Sequence, residues 1–481
     1  MQIREVDVAI IGAGTAGLAA YRAAVERTDS VVIIDGGPLG TTCARVGCMP
    51  SKLLIAAAEA AHHSRHSHIF GIRNQSTTVD TAVVMARVQS ERDRFVGFVL
   101  ESIESIPTDH KIKAFAKFID DNMLQLSNGH QLRARSIVIA TGSRPVNPPI
   151  LNGAGKRLLN NDDIFELKDL PGKIAVFGPG VIGLELGQAL HRLNVEIKLF
   201  GVGGSLGPLR DPVVKQYALK TFNEEFYLDT DAKVDAVEST DNSVEITYTN
   251  KEGKQVKESF DYVLAATGRR TNVESLALEN TSLIVNERGV PEFNGFSLQC
   301  GRSNIFIAGD ANDDKPLLHE AADEGKIAGQ NAALYPQGVR AGLRRAPIGV
   351  VFSDPQMASV GLNLSQVQTR CDGCYAIGEV SFENQGRARV MGINKGILRL
   401  YAEQGSGLFL GAEMIGPRAE HIAHLLSWAF QQRMTVSQML EMPFYHPVIE
   451  EGVRTGLRDL NAQLKIGPQV VANCLDCGPG G

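Results

Sequence analysis

Two cysteines five positions apart, Cys43 and Cys48, stand in the segment Gly40-Thr41-Thr42-Cys43-Ala44-Arg45-Val46-Gly47-Cys48-Met49-Pro50-Ser51-Lys52. Cysteine chemistry runs through the thiolate, and a helix start or a nearby cation favours that form. At a helix start the pair has two reactive readings. It forms a disulfide across one turn, or it is held as thiolates by the helix N-terminus, with Arg45 adding positive charge. The plainer alternative is two buried, inert thiols. Thiol–disulfide exchange also needs a proton acceptor that works near neutral pH. His446 has the fitting residue type, and Glu451 follows it in His446-Pro447-Val448-Ile449-Glu450-Glu451. A neighbouring carboxylate orients an imidazole and raises its basicity. A lone His near an acid is more often structural, so the pair takes its weight from its context.

Other cysteines and histidines need weighing. Cys474 and Cys477 form a CxxC near the C-terminus, followed by Gly478-Pro479-Gly480-Gly481, and Cys371 and Cys374 form another. A CxxC is a redox dithiol, half of a metal site, or a coincidence. Two such pairs could build an all-thiolate zinc site. Their separation of about a hundred residues is far beyond ordinary ribbon spacing. His62, His63, His66 and His68 include one i,i+4 pair, a spacing that can bind a metal. The stretch is otherwise Ala-rich and lacks a metalloprotease-type Glu, so it reads as a solvated helix end. Cys300 has no partner nearby in sequence and reads as an inert small hydrophobe.

The elements that must position these groups contain a repeat. Val6–Ile11 is an apolar run, followed by Gly12-Ala13-Gly14-Thr15-Ala16-Gly17, the Ala-rich stretch Leu18–Val25, and the β-branched run Val31–Ile34 ending in Asp35. This predicts strand, glycine turn, helix, strand and acid. Such a turn lets backbone approach a pyrophosphate at a helix N-terminus, and the acid binds a ribose hydroxyl. The pattern recurs as Lys173–Phe177, then Gly178-Pro179-Gly180-Val181-Ile182-Gly183, then Leu184–Leu193 and Val195–Phe200. Each copy closes on a similar phrase, Ile137 to Gly142 ending Ala140-Thr141-Gly142, and Val263 to Gly268 ending Ala266-Thr267-Gly268. Two dinucleotide folds in one chain suggest two cofactors, one held and one exchanging. The alternative, that one copy is a structural relic, is disfavoured because both keep three glycines. The second copy ends in Phe200-Gly201-Val202-Gly203-Gly204-Ser205, with neither an acid for NAD nor an Arg for NADP. The nucleotide choice stays open. Arg210 is a distant candidate and reads as a surface residue.

Composition bounds the class. At 481 residues the chain has room for about three domains. With 43% hydrophobic and 21% charged residues it is a globular chain and neither disordered nor fibrous. A net charge of −6 gives no basic footprint for nucleic acid. No apolar run is long enough to span a membrane, and the N-terminus enters a strand without a signal-like segment. Seven cysteines in this length do not make a secreted disulfide scaffold. A cytoplasmic protein is expected.

Taken together, the GTTCARVGCMPSK segment, both glycine turns, the two ATG phrases, Asn304-Ile305-Phe306-Ile307-Ala308-Gly309-Asp310 and the HPVIEE segment resemble the flavoprotein disulfide reductases of the dihydrolipoamide dehydrogenase and glutathione reductase type. The resemblance covers nearly the whole chain. It implies an α/β chain with two Rossmann-like dinucleotide-binding domains, the second inserted in the first, and a C-terminal α+β dimerisation domain. FAD would be bound by residues 1–147 and 272–346, NAD or NADP by 148–271, and the homodimer formed through 347–465, leaving a tail at 466–481. Gly12, Gly14 and Gly17 would meet the FAD pyrophosphate, Asp35 the adenosine ribose and Asp310 the ribityl chain. Thr141, Gly142, Gly268 and Gly309 would line the cofactor sites. Gly178, Gly180 and Gly183 would hold the nicotinamide nucleotide, and Lys52 and Glu185 would pair beside the flavin ring. Cys48 would be the charge-transfer thiolate and Cys43 the interchange thiol. His446, held by Glu451, would be the acid/base supplied by the other subunit.

The implied reaction is dihydrolipoamide plus NAD⁺ giving lipoamide plus NADH, on a small or protein-bound dithiol. The departures are Phe444, Val448 and Arg45, where His, Thr and Asn are usual, and the missing acid of the second fold. They touch substrate and nucleotide rather than the thiol chemistry. The soluble transhydrogenase type lacks the Cys pair and this His. One rival is an NAD(P)H-driven reductase of a disulfide or metal ion that uses Cys474 and Cys477 as a relay. Another is a non-enzymatic redox sensor or scaffold, against which the acid/base pair argues.

Overall fold

The computed structural model describes residues 3–464, and among these the chain divides into two compact units. The first comprises the chain up to Pro50 together with Ala86–Val146 and Gly268–Arg344. The second comprises Ser51–Met85, Asn147–Thr267 and the chain from Arg345 onward. No helix among the described residues is long and apolar enough to cross a membrane.

In the first unit, Ile3–Ile11 pairs in parallel with Val31–Ile34 on one side and Gln131–Ile139 on the other. Ile305–Ile307 adds in parallel to Gln131–Ile139. Val8 and Ile10 enter one apolar cluster while Ala9 and Ile11 enter the opposite one. A parallel sheet covered on both faces requires such runs without polar alternation. The strand begins before Val6 because Ile3–Glu5 pair with Gln131–Arg133 through backbone, outside the core. The first helix, Thr15–Val25, crosses Leu318–Leu334 at small residues. A Cβ on Gly325 would lie 2.1 Å from Ala16 O, and one on Gly329 would lie 2.2 Å from Ala20 O.

The second unit holds a parallel sheet in the order Tyr227–Asp229, Glu196–Phe200, Lys173–Phe177, Tyr262–Ala265, Leu158–Leu159. A separate antiparallel meander, Lys233–Ser239, Val244–Thr249 and Gln255–Phe260, precedes Tyr262–Ala265. The C-terminal part is an antiparallel sheet running Ile348–Val351, Gln356–Gly361, Phe409–Gly416, Ile397–Glu403, Tyr375–Ser381, with helices Ala419–Gln431 and Glu451–Leu464 contributing to its core. The chain is thus α/β with two dinucleotide-type sheets and a C-terminal α+β part. Both first helices begin three residues earlier than the apolar pattern indicated, at Thr15 and Val181. The middle glycine of each turn is the N-cap, so the third glycine lies inside the helix.

Within the second unit a buried polar knot ties helix Pro212–Asn223 to the C-terminal sheet. Asp211 caps that helix, its Oδ1 accepting from Val213 N at 2.9 Å. Arg399 Nη1 donates to both Asp211 oxygens at 2.8 Å, and Tyr401 Oη donates to Oδ2 at 2.9 Å. Glu413, fully buried, accepts from Asp211 N at 3.0 Å and Leu364 N at 2.9 Å. Burial, reinforced by Glu413 and Asp211, pushes the Tyr401 phenol up, so it stays a donor.

The glycine turns yield a contrast that unfolding can read. A Cβ on Gly183 would lie 1.9 Å from Gly178 O, whereas one on Gly180 would meet nothing within 4 Å. Gly183→Ala should destabilise the fold by about 3 kcal/mol and Gly180→Ala by under about 1 kcal/mol, read from urea midpoints.

Candidate active site

The two glycine turns are built alike. Gly12 (φ +110°) and Gly178 (φ +104°) adopt a backbone that favours glycine, and a Cβ on either would lie 2.3 Å from the carbonyl of Ala140 or Ala266. Gly17 and Gly183 are forced by contact with the carbonyls of Gly12 and Gly178. Gly14 and Gly180 face open space, with nothing within 4 Å of an added Cβ. Packing therefore explains the outer glycines, and the middle one leaves a cradle beside a helix N-terminus, where a pyrophosphate fits.

The residues around the first turn suit FAD. Asp35 directly follows Val31–Ile34, and its Oδ2 accepts from Ala13 N at 2.6 Å while Oδ1 accepts from Gly37 N at 2.8 Å. Thr141 Oγ1 is buried with no hydrogen-bond partner among the described residues, an orphan donor a cofactor would satisfy. Gly142 (φ +68°) and Gly268 (φ +110°) leave open space beside them. Gly309 (φ +70°) donates its amide to buried Glu324 at 2.8 Å. Asp310 follows, its Oδ2 accepting from Ser143 Oγ at 2.6 Å. Arg269 Nε donates to Ser143 Oγ at 2.8 Å, so a cation orients the hydroxyl that holds the acid.

The cysteine segment differs from the expectation of a single helix start. Cys43 lies in the five-residue helix Thr42–Val46, and Cys48 opens the separate helix Cys48–His66. Gly47 joins them, and Thr41 (φ +59°) caps the short helix by accepting from Ala44 N at 3.3 Å. Cys43 is half-buried and Cys48 exposed, so the pair is not a buried inert one. Lys52 lies four residues further along the same helix. Its Nζ is 2.7 Å from Glu185 Oε2 and 4.5 Å above the Phe352 ring. Glu185 is buried, and its second oxygen accepts from Phe352 N at 2.9 Å.

His446 Nδ1 lies 2.9 Å from Glu451 Oε1. Glu451 is the first residue of Glu451–Leu464, and its Oε2 accepts from Val448 N at 3.1 Å. The His446 side chain is 65% exposed and that of Glu451 5%, so the acid is anchored while the imidazole is presented outward. Phe444, Tyr445 and Val448 surround the pair in sequence. His446 belongs to the second unit and the cysteines to the first.

The remaining candidates sort simply. His63, His66 and His68 are exposed, but His62 is half-buried and stacks on His66 with ring centroids 4.0 Å apart. Burial and Arg192 pull His62 down to about 4, so it is neutral at pH 7. The stretch is a helix end, but it is less solvated than its composition indicated. Among the described residues no group of His, Cys, Asp and Glu side chains is placed to hold a metal. Burial pushes the Cys300 thiol up to about 12, consistent with an inert core residue. Arg210 is exposed, and its amide donates to Glu413. Cys474 and Cys477 lie outside the described residues.

Two open glycine cradles and a cysteine pair with one exposed thiol are the features to set beside known proteins. Residues 6–325 match the family described as pyridine nucleotide-disulphide oxidoreductase, and residues 348–456 match its dimerisation domain. The chain is 31% identical to a dihydrolipoyl dehydrogenase of Geobacillus stearothermophilus over 458 residues, covering 93% of this chain and 94% of that protein. It is also 31% identical to a dihydrolipoyl dehydrogenase of Bacillus subtilis over 462 residues, with the same coverage. The solved structure of the HOCl-induced flavoprotein disulfide reductase RclA from Escherichia coli matches the fold with a TM-score of 0.78 and 22% identity, over 94% of this chain and 99% of that one. The chain belongs to the pyridine nucleotide-disulphide oxidoreductase family, flavoprotein enzymes that use FAD and NAD(P).

Sequence reasoning did not single out Ser143, Arg269 or Phe352. A signal for the first two exists in the repeat. Ser143–Pro145 and Arg269–Thr271, which follow the two ATG phrases, pair antiparallel. Phe352 engages Glu185 through its backbone, which leaves no mark in residue type.

If Asp310 holds the flavin, Asp310→Ala should weaken flavin retention about tenfold, and Ser143→Ala less. The ratio of flavin to protein after exhaustive dialysis measures both.

Proposed function

We propose that this chain is a dihydrolipoamide oxidoreductase that passes two electrons from a small or protein-bound dithiol to a nicotinamide nucleotide, as a cytoplasmic homodimer. The observation that carries this reading is the His446–Glu451 pair at 2.9 Å, a presented base on an anchored acid, in a chain whose Cys pair has Cys48 exposed and Cys43 half-buried. The homodimer is supported by the dimerisation-domain match, and the substrate by the dihydrolipoyl dehydrogenases it resembles. The division of labour is 1–147 with 272–346 for FAD, 148–271 for the nicotinamide nucleotide, 347–465 for the dimer contact, and 466–481 as a tail.

The residues act as follows. His446 of one subunit accepts the proton of a substrate thiol through Nε2, because Glu451 occupies the Nδ1 side. The substrate thiolate attacks Cys43 of an oxidised Cys43–Cys48 pair. The S–S bond breaks, a mixed disulfide forms on Cys43, and Cys48 leaves as thiolate. The second substrate thiol attacks the substrate sulfur of the mixed disulfide, its proton passing to the departing Cys43, so that Cys43 leaves as a thiol and the lipoamide ring closes. Cys48 opens a helix, whose N-terminal partial charge favours the leaving thiolate. Two electrons then reside on the Cys pair. FAD, when bound, would supply the two-electron chemistry that links the dithiol to the nicotinamide nucleotide. Gly12, Gly14, Gly17, Asp35, Thr141, Gly142, Gly268, Gly309 and Asp310 would bind it, with the Lys52–Glu185 pair beside its ring. Gly178, Gly180 and Gly183 would cradle the nicotinamide nucleotide.

The deciding assay is dihydrolipoamide-dependent reduction of NAD⁺ by the purified flavoprotein, with NADP⁺ in a matched cuvette. Turnover is expected in at least one of the two cuvettes. Negligible turnover in both, with a flavin that NADPH still bleaches, would instead favour a reductase that relays electrons through Cys474 and Cys477. His446→Ala should keep its flavin and lose about 10²- to 10⁴-fold in kcat, and unchanged turnover would remove the assignment.

A further inference from the structure

The two nucleotide folds of this chain correspond residue by residue through their own hydrogen bonds. Gly12 N donates to Ile34 O at 2.8 Å, and Gly178 N donates to Phe200 O at 2.8 Å. Ala13 therefore corresponds to Pro179, and Asp35 to Gly201. In the first fold the Asp35 carboxylate receives the Ala13 amide at 2.6 Å. In the second fold Pro179 has no amide hydrogen to give. A Cβ on Gly201 would lie 2.6 Å from Pro179 Cγ and 2.8 Å from Thr230 O. The position that carries an acid in the first fold is closed to every side chain in the second. An acid at that position selects the free ribose hydroxyl, and a cation nearby accommodates a 2′-phosphate.

The loop after Gly201 supplies the second half of the observation. Gly203 (φ +69°) and Gly204 (φ +67°) turn it back, and Gly204 N donates to Thr230 O at 2.9 Å. Helix Pro212–Asn223 carries Lys215, whose Nζ comes 3.7 Å from the Cβ position of Gly204. Lys215 is half-buried, and its ammonium has no hydrogen bond or ion pair among the described residues. Asp231, on the neighbouring loop, accepts from Gly203 N at 2.8 Å, so one of its oxygens is engaged in holding the loop. Val202 and Ser205 are exposed on the same loop. An unpaired cation beside a glycine loop, at the end of a strand stripped of its acid, is complementary to a phosphate monoester.

We propose that the second fold accepts the 2′-phosphate of NADP(H) and that Lys215 is the specificity-determining residue. This rests on reading residues 173–267 as the nicotinamide-nucleotide fold. The site's rival ligand, with a free 2′-hydroxyl, would depend on Asp231.

Calorimetric titration of the oxidised holoenzyme with 2′,5′-ADP and with 5′-AMP tests the proposal without turnover. 2′,5′-ADP should bind about tenfold tighter, and Lys215→Ala should remove about tenfold of its affinity while leaving 5′-AMP within about twofold. Lys215→Arg should retain the preference. Equal or tighter binding of 5′-AMP, or an unchanged ratio in Lys215→Ala, overturns the proposal. In that case a loss of 5′-AMP affinity in Asp231→Asn would identify the rival. If neither ligand binds while the flavin remains in place, the reading of residues 173–267 fails along with it.

Discussion

The structure depends on how closely its backbone approaches itself at a few glycines. Gly12, Ala140 and Gly17 meet where a strand end, a neighbouring strand's loop and a helix start converge, with no room for a β-carbon at either glycine. The same crossing recurs at Gly178, Ala266 and Gly183. The helix N-terminus can come to the sheet edge only because these atoms are absent, and the middle glycine then leaves the ligand's space open. The second contact of this kind, Ala16 and Ala20 against Gly325 and Gly329, fixes the angle of the first helix. It also places Gly309 against Ala16, with a Cβ on Gly309 lying 2.9 Å from the Ala16 side chain. Asp310 is therefore positioned by the same small-residue packing that positions the glycine turn.

Much of this was legible in the sequence, for a physical reason. The glycine turns, Asp35, the Cys pair and His446 with Glu451 lie within short stretches, where covalent spacing determines what can meet. The Lys52–Glu185 contact spans 133 positions, and only the resemblance to a family named it. The long-range polar contacts were not legible. The Asp211–Arg399–Tyr401–Glu413 knot joins residues up to about two hundred positions apart, and each alone has the residue type of an ordinary surface group or core tyrosine. The missing acid at Gly201 was visible, but its cause was not. The loss becomes a steric statement only when Pro179 and Thr230 are seen on either side of the glycine. The joint at Gly47 had a signal, since Gly47 lies just past the end of the short helix and Pro50 in the first turn of the next.

Charge is handled alike at Glu185 and at Glu451. The buried carboxylates Glu185, Glu324, Glu413 and Glu451 each receive at least one backbone amide or cation, as a buried charge must. Glu185 couples Lys52 to the Phe352 backbone, so the ammonium is positioned by an acid that is itself positioned by the chain. Glu451 does the same for an imidazole. In both cases a long, mobile or exposed group is tied to a short, buried one, which reduces the entropy lost when the mobile group engages a ligand.

The placement of His446 illustrates how far that positioning extends. Helix Glu451–Leu464 lies against strand Tyr375–Ser381 at glycines, and a Cβ on Gly378 would fall 2.4 Å from Gly456 O. Gly452 abuts Phe382, and Gly456 abuts Leu400. These contacts set the depth of the helix and hence the height of Glu451 at its first position. The Asp211–Glu413 knot anchors the same sheet through Arg399 and Tyr401, which lie on the strand next to Tyr375–Ser381. A substitution in the knot or at Gly456 would thus move the carboxylate that holds the imidazole without touching either group. The imidazole of His446 stays exposed while Glu451, itself held by the Val448 amide, fixes its Nδ1 side.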